Sequence, residues 1–221
     1  MLDSILTSDP SPIDDSAGVS CPAPSPVLVI ACGALSHEIQ QLKTLNGWSH
    51  VQVQCLPADL HNRPQLIPAK LREKIHQYRD QYDSIFVAYA DCGTAGEIDK
   101  VLQKEGIERL PGAHCYSFYA TEQTFNELAE DEPATFYLTD FLARHFERLI
   151  IRGLKLDIHP ELLDDFFGNY QRVVYLSQRR DKELLKMAHD AADFLGLDFE
   201  HQHCGYGDLE KGLESQLIAF A

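Results

Sequence analysis

"FVAYADCGTAGEID", Phe86–Asp99, runs from an apolar, β-favouring stretch through a Cys-Gly pair into a segment of helical character. The same design stands earlier in the chain as "VLVIACGALSHEI", Val27–Ile39, with Cys32 in the place of Cys92. A short Val- and Ile-rich run bounded by a turn signal reads as a buried strand, and the spacing that follows reads as a helix. Strands that feed helices in this way predict parallel pairing with right-handed crossovers, hence an α/β layered fold.

Outward from these two stretches the alternation continues. "HVQVQCLPADL" (His50–Leu60) alternates as a second strand. "IPAKLREKIHQYRDQY" puts Ile67, Leu71, Ile75 and Tyr78 on one helical face, with Pro68 in the first turn. "AHCYSFYA" (Ala113–Ala120) reads as a strand or extended stretch, and the chain from Thr121 onward reads as mostly helical. "RVVYLSQ" (Arg172–Gln178), "RDKELLKMAHDAADFLGL" and "DFEHQHCGYGD" then form a strand, a helix and a further strand or exit loop. The expected organisation is a flexible acidic tail over 1–25 and a single α/β domain over 26–221. That domain holds three βαβ-type units with mostly parallel strands, near 27–80, 84–120 and 172–221, and a helical insert over 121–170. One sheet, or three small ones about a pseudo-threefold centre, both satisfy the pattern.

Nineteen Lys and Arg stand against 34 Asp and Glu, a formal charge of −15. Such a surface repels phosphate backbones and anionic lipid, which argues against nucleic-acid or membrane-surface partners. No run approaches the roughly 20 apolar residues of a membrane-spanning helix, and the N-terminal stretch lacks the basic start and apolar segment of a secretory signal. A cytoplasmic location follows as the expectation. In that reducing compartment the six cysteines are expected to serve metal or thiol chemistry rather than disulfides. There is no phosphate-binding G-x-x-x-x-G-K-[ST], no G-x-G-x-x-G, no C-x-x-C and no H-E-x-x-H, so nucleotide hydrolysis, Rossmann-type binding and zinc-finger readings lose their support.

Cys32-Gly33 and Cys92-Gly93 each fall at the carboxyl end of an expected strand, where open α/β sheets bind ligands. Gly33 and Gly93 let the backbone turn sharply or approach a cofactor closely. The helix N-terminus beyond each pair favours a thiolate. One such cysteine alone reads as a small buried residue; the matched pair points to a shared ligand or reactive thiols. "PGAHCYSFY" adds adjacent His114 and Cys115, of which only one is expected to face the site. Three protein ligands with an open position suit catalytic zinc, and three thiolates suit an iron–sulfur cluster with one open iron.

"LPADLHNRPQLIP" carries His61, a candidate ligand or proton donor, and Arg63, a candidate clamp for carboxylate or phosphate. Asp91, just before Cys92, is placed to orient a ligand, and His37 and Glu38 open the first helix toward the same crevice. Tyr89, Tyr116 and Tyr119 read as packing residues with wetted hydroxyls. Arg144, Arg148 and Arg152 stack at spacing four and read as a salt-bridge ladder with Asp140 and Glu147. "EHQHC" (Glu200–Cys204) has a metal-like composition only, and Cys21 and Cys55 are weak candidates.

"ACGAL", "LPADLHNRPQLIPAKLREKI", "YDSIFVAYADCGTAGEID", "PGAHCYSFYA", "FYLTDFLARHFERLIIRGLKLDIHPEL" and "FGNYQRVVYLSQ" together resemble a bacterial and archaeal family of unknown function, DUF1638, over roughly 27–215. The resemblance implies a cytoplasmic protein that accompanies one-carbon and corrinoid methyltransferase systems, and it supplies no established reaction. It places Cys32, His61, Arg63, Cys92, His114 and Cys115 at the family's characteristic positions; Cys204 falls where the pattern is looser, and the acidic tail lies outside it.

The expected function is a metal-dependent enzyme acting on a small-molecule substrate, with Cys32, Cys92 and Cys115 (or His114) holding zinc or an iron–sulfur cluster. A metal- or corrinoid-binding accessory protein and a metal-free Cys/His thiol enzyme are the alternatives. In the pseudo-threefold version, Ser177 stands where the third unit would place a cysteine.

Overall fold

A computed structural model describes residues 25–219. Cys21 and all but the last residue of the expected tail lie outside the described residues.

The Val27–Cys32 run is strand β1, buried at every position. It sits in the middle of a three-stranded parallel sheet, flanked by β2 (Val51–Leu56) and β3 (Ser84–Ala88), in the order β2-β1-β3. Helices α1 (Ser36–Leu45) and α2 (Ile67–Tyr78) make the crossovers. The apolar face expected for α2 is the one buried, through Ile67, Leu71 and Ile75. With both faces of β1 covered, its continuous apolar sequence is what a central parallel strand requires.

The segment expected to be a helical insert contains a strand. Helix α4 (Glu122–Asp131) ends before Pro133, and "TFYLT" forms β4 (Thr135–Thr139). Its Thr, Phe and Tyr favour a pleated surface, a signal overrun by the helical pattern on either side. β4 begins a second parallel sheet, β4-β5-β6, with β5 (Arg172–Ser177) and β6 (Asp198–His203). Between β4 and β5 the chain is helical, through α5 (Asp140–Arg144), a π-helical stretch at Glu147–Ile151 and α6 (Leu163–Phe167). Helix α7 (Lys182–Leu195) crosses from β5 to β6.

The α/β class and the parallel strands are thus as expected, but the described residues form two sheets, and a pseudo-threefold arrangement is not confirmed. The unit beginning near 84 does not close with a second strand. After helix α3 (Glu97–Glu105) only a single parallel bridge, Val87–Arg109, forms, and Cys115–Phe118 is a 3-10 turn instead of the expected strand. Helix α8 (Gly207–Ala219) returns to the first sheet, whose core takes up Leu209, Leu213 and Leu217.

The arginine ladder does not form as expected. Arg152 pairs with Glu147, but Asp140 is engaged by Arg179 and Tyr175. The π-helical stretch between Arg144 and Arg152 breaks the spacing that would have aligned them.

Gly196 ends α7 in a left-handed conformation, φ +69, with open space where a side chain would stand. Gly196→Ala therefore carries a backbone cost alone and is expected to destabilise the protein by about 1 kcal/mol, read as a lower urea midpoint.

Candidate metal centre

The four segments that carry chemistry meet at the carboxyl end of the first sheet. Cys32 is the last residue of β1, fully buried, and its sulfur accepts a hydrogen bond from Ala34 N at 3.4 Å. It can stand there because Gly33 follows: a Cβ on Gly33 would come within 2.8 Å of the Leu56 carbonyl oxygen and 3.2 Å of Ala58 N. Gly33→Val is expected to push β1 off the exit of β2, at about 1–3 kcal/mol in a denaturant titration.

Cys92 lies beyond the end of β3 in a loop of left-handed backbone. Its φ is +48, and Gly93, Ala95 and Gly96 follow at +83, +53 and +82. For Cys92 and Ala95 this conformation costs on the order of 1–2 kcal/mol each. Asp91 offsets that cost: its carboxylate accepts from Thr94 Oγ1 (2.7 Å), Ala95 N (3.1 Å) and Gly96 N (2.7 Å). Burial alone would raise the Asp91 pKa, but these bonds, the Gly96 amide foremost, hold it below the usual carboxylate range. In the geometry Asp91 is the residue that shapes the Cys92 loop.

Cys115 opens the 3-10 turn that follows His114. The turn is anchored to the Cys92 loop by Cys92 N donating to Ala113 O (2.7 Å) and Asp91 N to Gly112 O (3.1 Å). Cys115 Sγ accepts from Ala90 N at 3.4 Å and stands 3.1 Å from Cys92 Sγ. His114 takes the other direction: its ring stacks on Tyr116 (4.9 Å, 8°). The adjacent pair does divide as the sequence implied, with Cys115 inward.

His61 supplies the fourth group. It stands on the 3-10 turn Ala58–Asn62, which leaves the end of β2. Both ring nitrogens lie 4.0 Å from Cys32 Sγ. Nδ1 is 2.9 Å from the Ala58 carbonyl oxygen, which can only accept, so Nδ1–H is the donor and Nε2 is the nitrogen left to bind an ion once it gives up its proton. Tyr89 stacks flat against the ring (6.0 Å, 12°). The donor atoms of Cys32, His61 and Cys115 all lie within 4.8 Å of one another.

The protonation states in the absence of an ion are uneven. Hydrogen bonding from Cys115 is the main reason Cys92 falls to about 6, against an opposing effect of burial. Burial also opposes the Cys32 thiolate, but hydrogen bonds from Cys115 and His61 hold its pKa well below the usual thiol value. Cys115, buried and donating to both, is pushed well above it. Burial disfavours the His61 cation, yet its hydrogen bonds to the Cys32 and Cys92 sulfurs outweigh that and raise it to about 11.

Tyr89 was expected to have a wetted hydroxyl. Instead the residue is fully buried, and Oη has no hydrogen-bond partner in the protein. Burial and the neighbouring Cys32, Cys115 and Cys92 sulfurs keep it protonated. Its aromatic ring reads from sequence as ordinary packing, so nothing there marked it. Tyr119 is likewise buried, its hydroxyl donating to Glu38 Oε2 at 3.3 Å, which takes Glu38 into the core and away from the crevice. His37 is exposed.

Arg63 is exposed and does not line the cavity beside the cluster. His201 and His203 meet elsewhere, both on Ser177 Oγ at 2.9 and 3.0 Å. Cys55 and Cys204 stand apart from the cluster, and burial raises each to about 11.

Cys115 and His61 open onto a cavity of about 280 Å³ between the two sheets, walled by Tyr116, Tyr119, Phe136 and Tyr170 among others. The cluster is thus buried behind and open in front.

The chain matches the family described as "Protein of unknown function (DUF1638)" over residues 55–213. The match begins later than the expected residue 27, so β1 and Cys32 precede it. No curated protein matches the chain. Among solved structures, the ornithine carbamoyltransferase from Pyrococcus furiosus is 12% identical, over 81% of this chain and 55% of that one, with a TM-score of 0.24. This chain therefore spans about half the length of that protein, and so low a score carries no argument about fold or activity.

Proposed function

We propose that this chain, which belongs to the DUF1638 family, is a metal-dependent enzyme holding one zinc ion through Cys32, Cys92, Cys115 and His61 beside a small-substrate cavity. The observation that carries this reading is the convergence of one imidazole and three sulfurs from four separate segments, with His61 and Cys115 of that set lining the cavity. Three thiolates and an imidazole are a zinc donor set. The spacing favours a single ion over an iron–sulfur cluster, because several irons would hold their thiolates much farther apart than 4.8 Å. Ligands about 2.3 Å from a tetrahedral ion lie about 3.8 Å from each other, so the 3.1 Å between Cys92 and Cys115 must open slightly. The orphaned Tyr89 hydroxyl fits as well, since a thiolate held permanently beside it gives its proton an acceptor.

Zinc held by these residues would supply a Lewis acid at the cavity wall. The protein's own groups do the rest. His61, fixed by Ala58 O and the Tyr89 ring, presents the exposed edge of the centre; Cys115 faces the same space; and the aromatic walls exclude water from it. His61 alone of the four is exposed, so its edge of the centre is the one a substrate would reach.

The test is zinc titrated into the reduced, full-length chain under anaerobic conditions. One equivalent is expected to bind. Cys115 and His61 both hold protons at neutral pH when no ion is present, so binding is expected to release protons and to tighten as pH rises. Calorimetry in buffers of different ionisation enthalpy measures that release. A chain that takes up no zinc, or one that purifies brown with iron and sulfide, overturns the proposal.

A further inference from the structure

The cavity in front of the cluster also carries information about what enters it. Its volume of about 280 Å³ lies just below the roughly 300–1,000 Å³ of most ligand sites, so it takes a small metabolite and not a nucleotide. Its wall is made by the turns that leave the first sheet and by β4 and the helical stretch after it. Tyr116 and Tyr119 come from the Cys115 turn, Phe136 and Tyr137 from β4, and Leu149 and Ile150 from the π-helical stretch.

Charge decides the ligand class. No Lys or Arg is among the residues lining the cavity; apart from its tyrosines, its charged or chargeable groups are Asp59, His61 and Cys115. An anion entering it would lose its hydration and find no cation outside the cluster, while facing the Asp59 carboxylate and the Cys115 sulfur. Burial of an unpaired charge costs several kcal/mol. A cation meets a different obstacle. Tyr116 and Tyr137 lie against each other (5.3 Å, 21°), and Tyr137 against Phe125 (5.0 Å), so their faces are spent on one another and are not turned to a common centre.

We infer that the ligand of this site is a small, uncharged molecule with a largely apolar or aromatic body. It would lie against Leu142 and Ile150 and direct one polar or sulfur atom to the Cys115–His61 edge. This rests on the metal-centre reading for the role of that edge, and on the cavity alone for the charge and size of the ligand.

Three probes of nearly equal size separate the classes: benzyl alcohol, benzoate and benzylammonium, each titrated calorimetrically into the zinc-supplemented full-length chain. Benzyl alcohol is expected to bind at least tenfold more tightly than either ion. Leu142→Trp, which fills the cavity from its wall, is expected to abolish that binding. Asn62→Arg sets a cation at the exposed rim and is expected to raise benzoate affinity several-fold relative to benzyl alcohol. Equal or tighter binding of benzoate or benzylammonium by the unaltered chain overturns the inference, as does no binding of any probe. Zinc uptake is read on the same preparations. Zinc bound with no probe bound sinks this inference alone, whereas benzyl alcohol bound without zinc sinks the metal centre and leaves the cavity assignment standing.

Discussion

Cys115→Ser is expected to abolish stoichiometric zinc binding, with affinity falling by at least a hundredfold, while Cys55→Ser and Cys204→Ser leave it unchanged. Cys115 is the member through which the cluster is joined. Its sulfur lies 3.1 Å from that of Cys92 and belongs to the set with Cys32 and His61. It is also the sulfur that lines the cavity. Serine keeps the size but offers a hydroxyl, a poor ligand for a borderline-soft ion. Cys55 sits within β2 and Cys204 after β6, each apart from the cluster. Cobalt makes the result visible: thiolate-to-cobalt charge-transfer absorption should be strong in the unaltered chain and in the two controls, and weak in Cys115→Ser. Equal zinc affinity in Cys115→Ser and the unaltered chain would remove Cys115 from the centre. His114→Ala is the companion variant, expected to retain the ion because the His114 ring lies on Tyr116 and away from the sulfurs.

Asp140→Ala is expected to be the most destabilising of the single changes considered, at about 3–5 kcal/mol. Asp140 is buried where β4 passes into α5, and its carboxylate gathers the neighbouring strand end. Oδ1 accepts from Tyr175 Oη (2.7 Å) and Gln178 N (3.1 Å), and Oδ2 from Arg179 N (3.1 Å) and Nε (3.4 Å). In return, Asp140 N donates to Gln178 Oε1 at 2.9 Å. Alanine leaves a buried hydroxyl, a buried backbone amide and a half-buried one without acceptors, whereas asparagine keeps one acceptor oxygen. Urea titrations are expected to rank the variants unaltered, Asp140→Asn, Asp140→Ala in falling midpoint. If Asp140→Ala melts within about 1 kcal/mol of the unaltered chain, the hub is dispensable and the two strand ends are held by packing.

That hub also explains why "TFYLTDF" was hard to read. A helix was legible on both sides of it from periodicity, and Asp140 looked like a member of an arginine ladder. Its partners, Tyr175, Gln178 and Arg179, lie far along the chain, so no local pattern announces them. β1, β2, β3, β5 and β6 were legible because each is a run of β-favouring or alternating residues closed by a turn signal. The Cys115 turn was misread as a strand for the opposite reason: its aromatic residues favour a strand, but backbone bonds to the Cys92 loop fold it into a 3-10 turn.

The Cys-Gly pairs at the ends of β1 and beyond β3 were visible in the sequence, because a strand's carboxyl end is a local feature and glycine marks a close approach. The α/β class followed from the same two stretches. Tertiary structure alone decided the rest: that Cys115 and not His114 turns inward, that His61 comes within reach of the sulfurs from the exit of β2, that Tyr89 backs it, and that the strands of the described residues divide between two sheets. Each of those depends on contacts between segments brought together by folding, and spacing along a chain does not encode which way a side chain faces once its neighbours are in place.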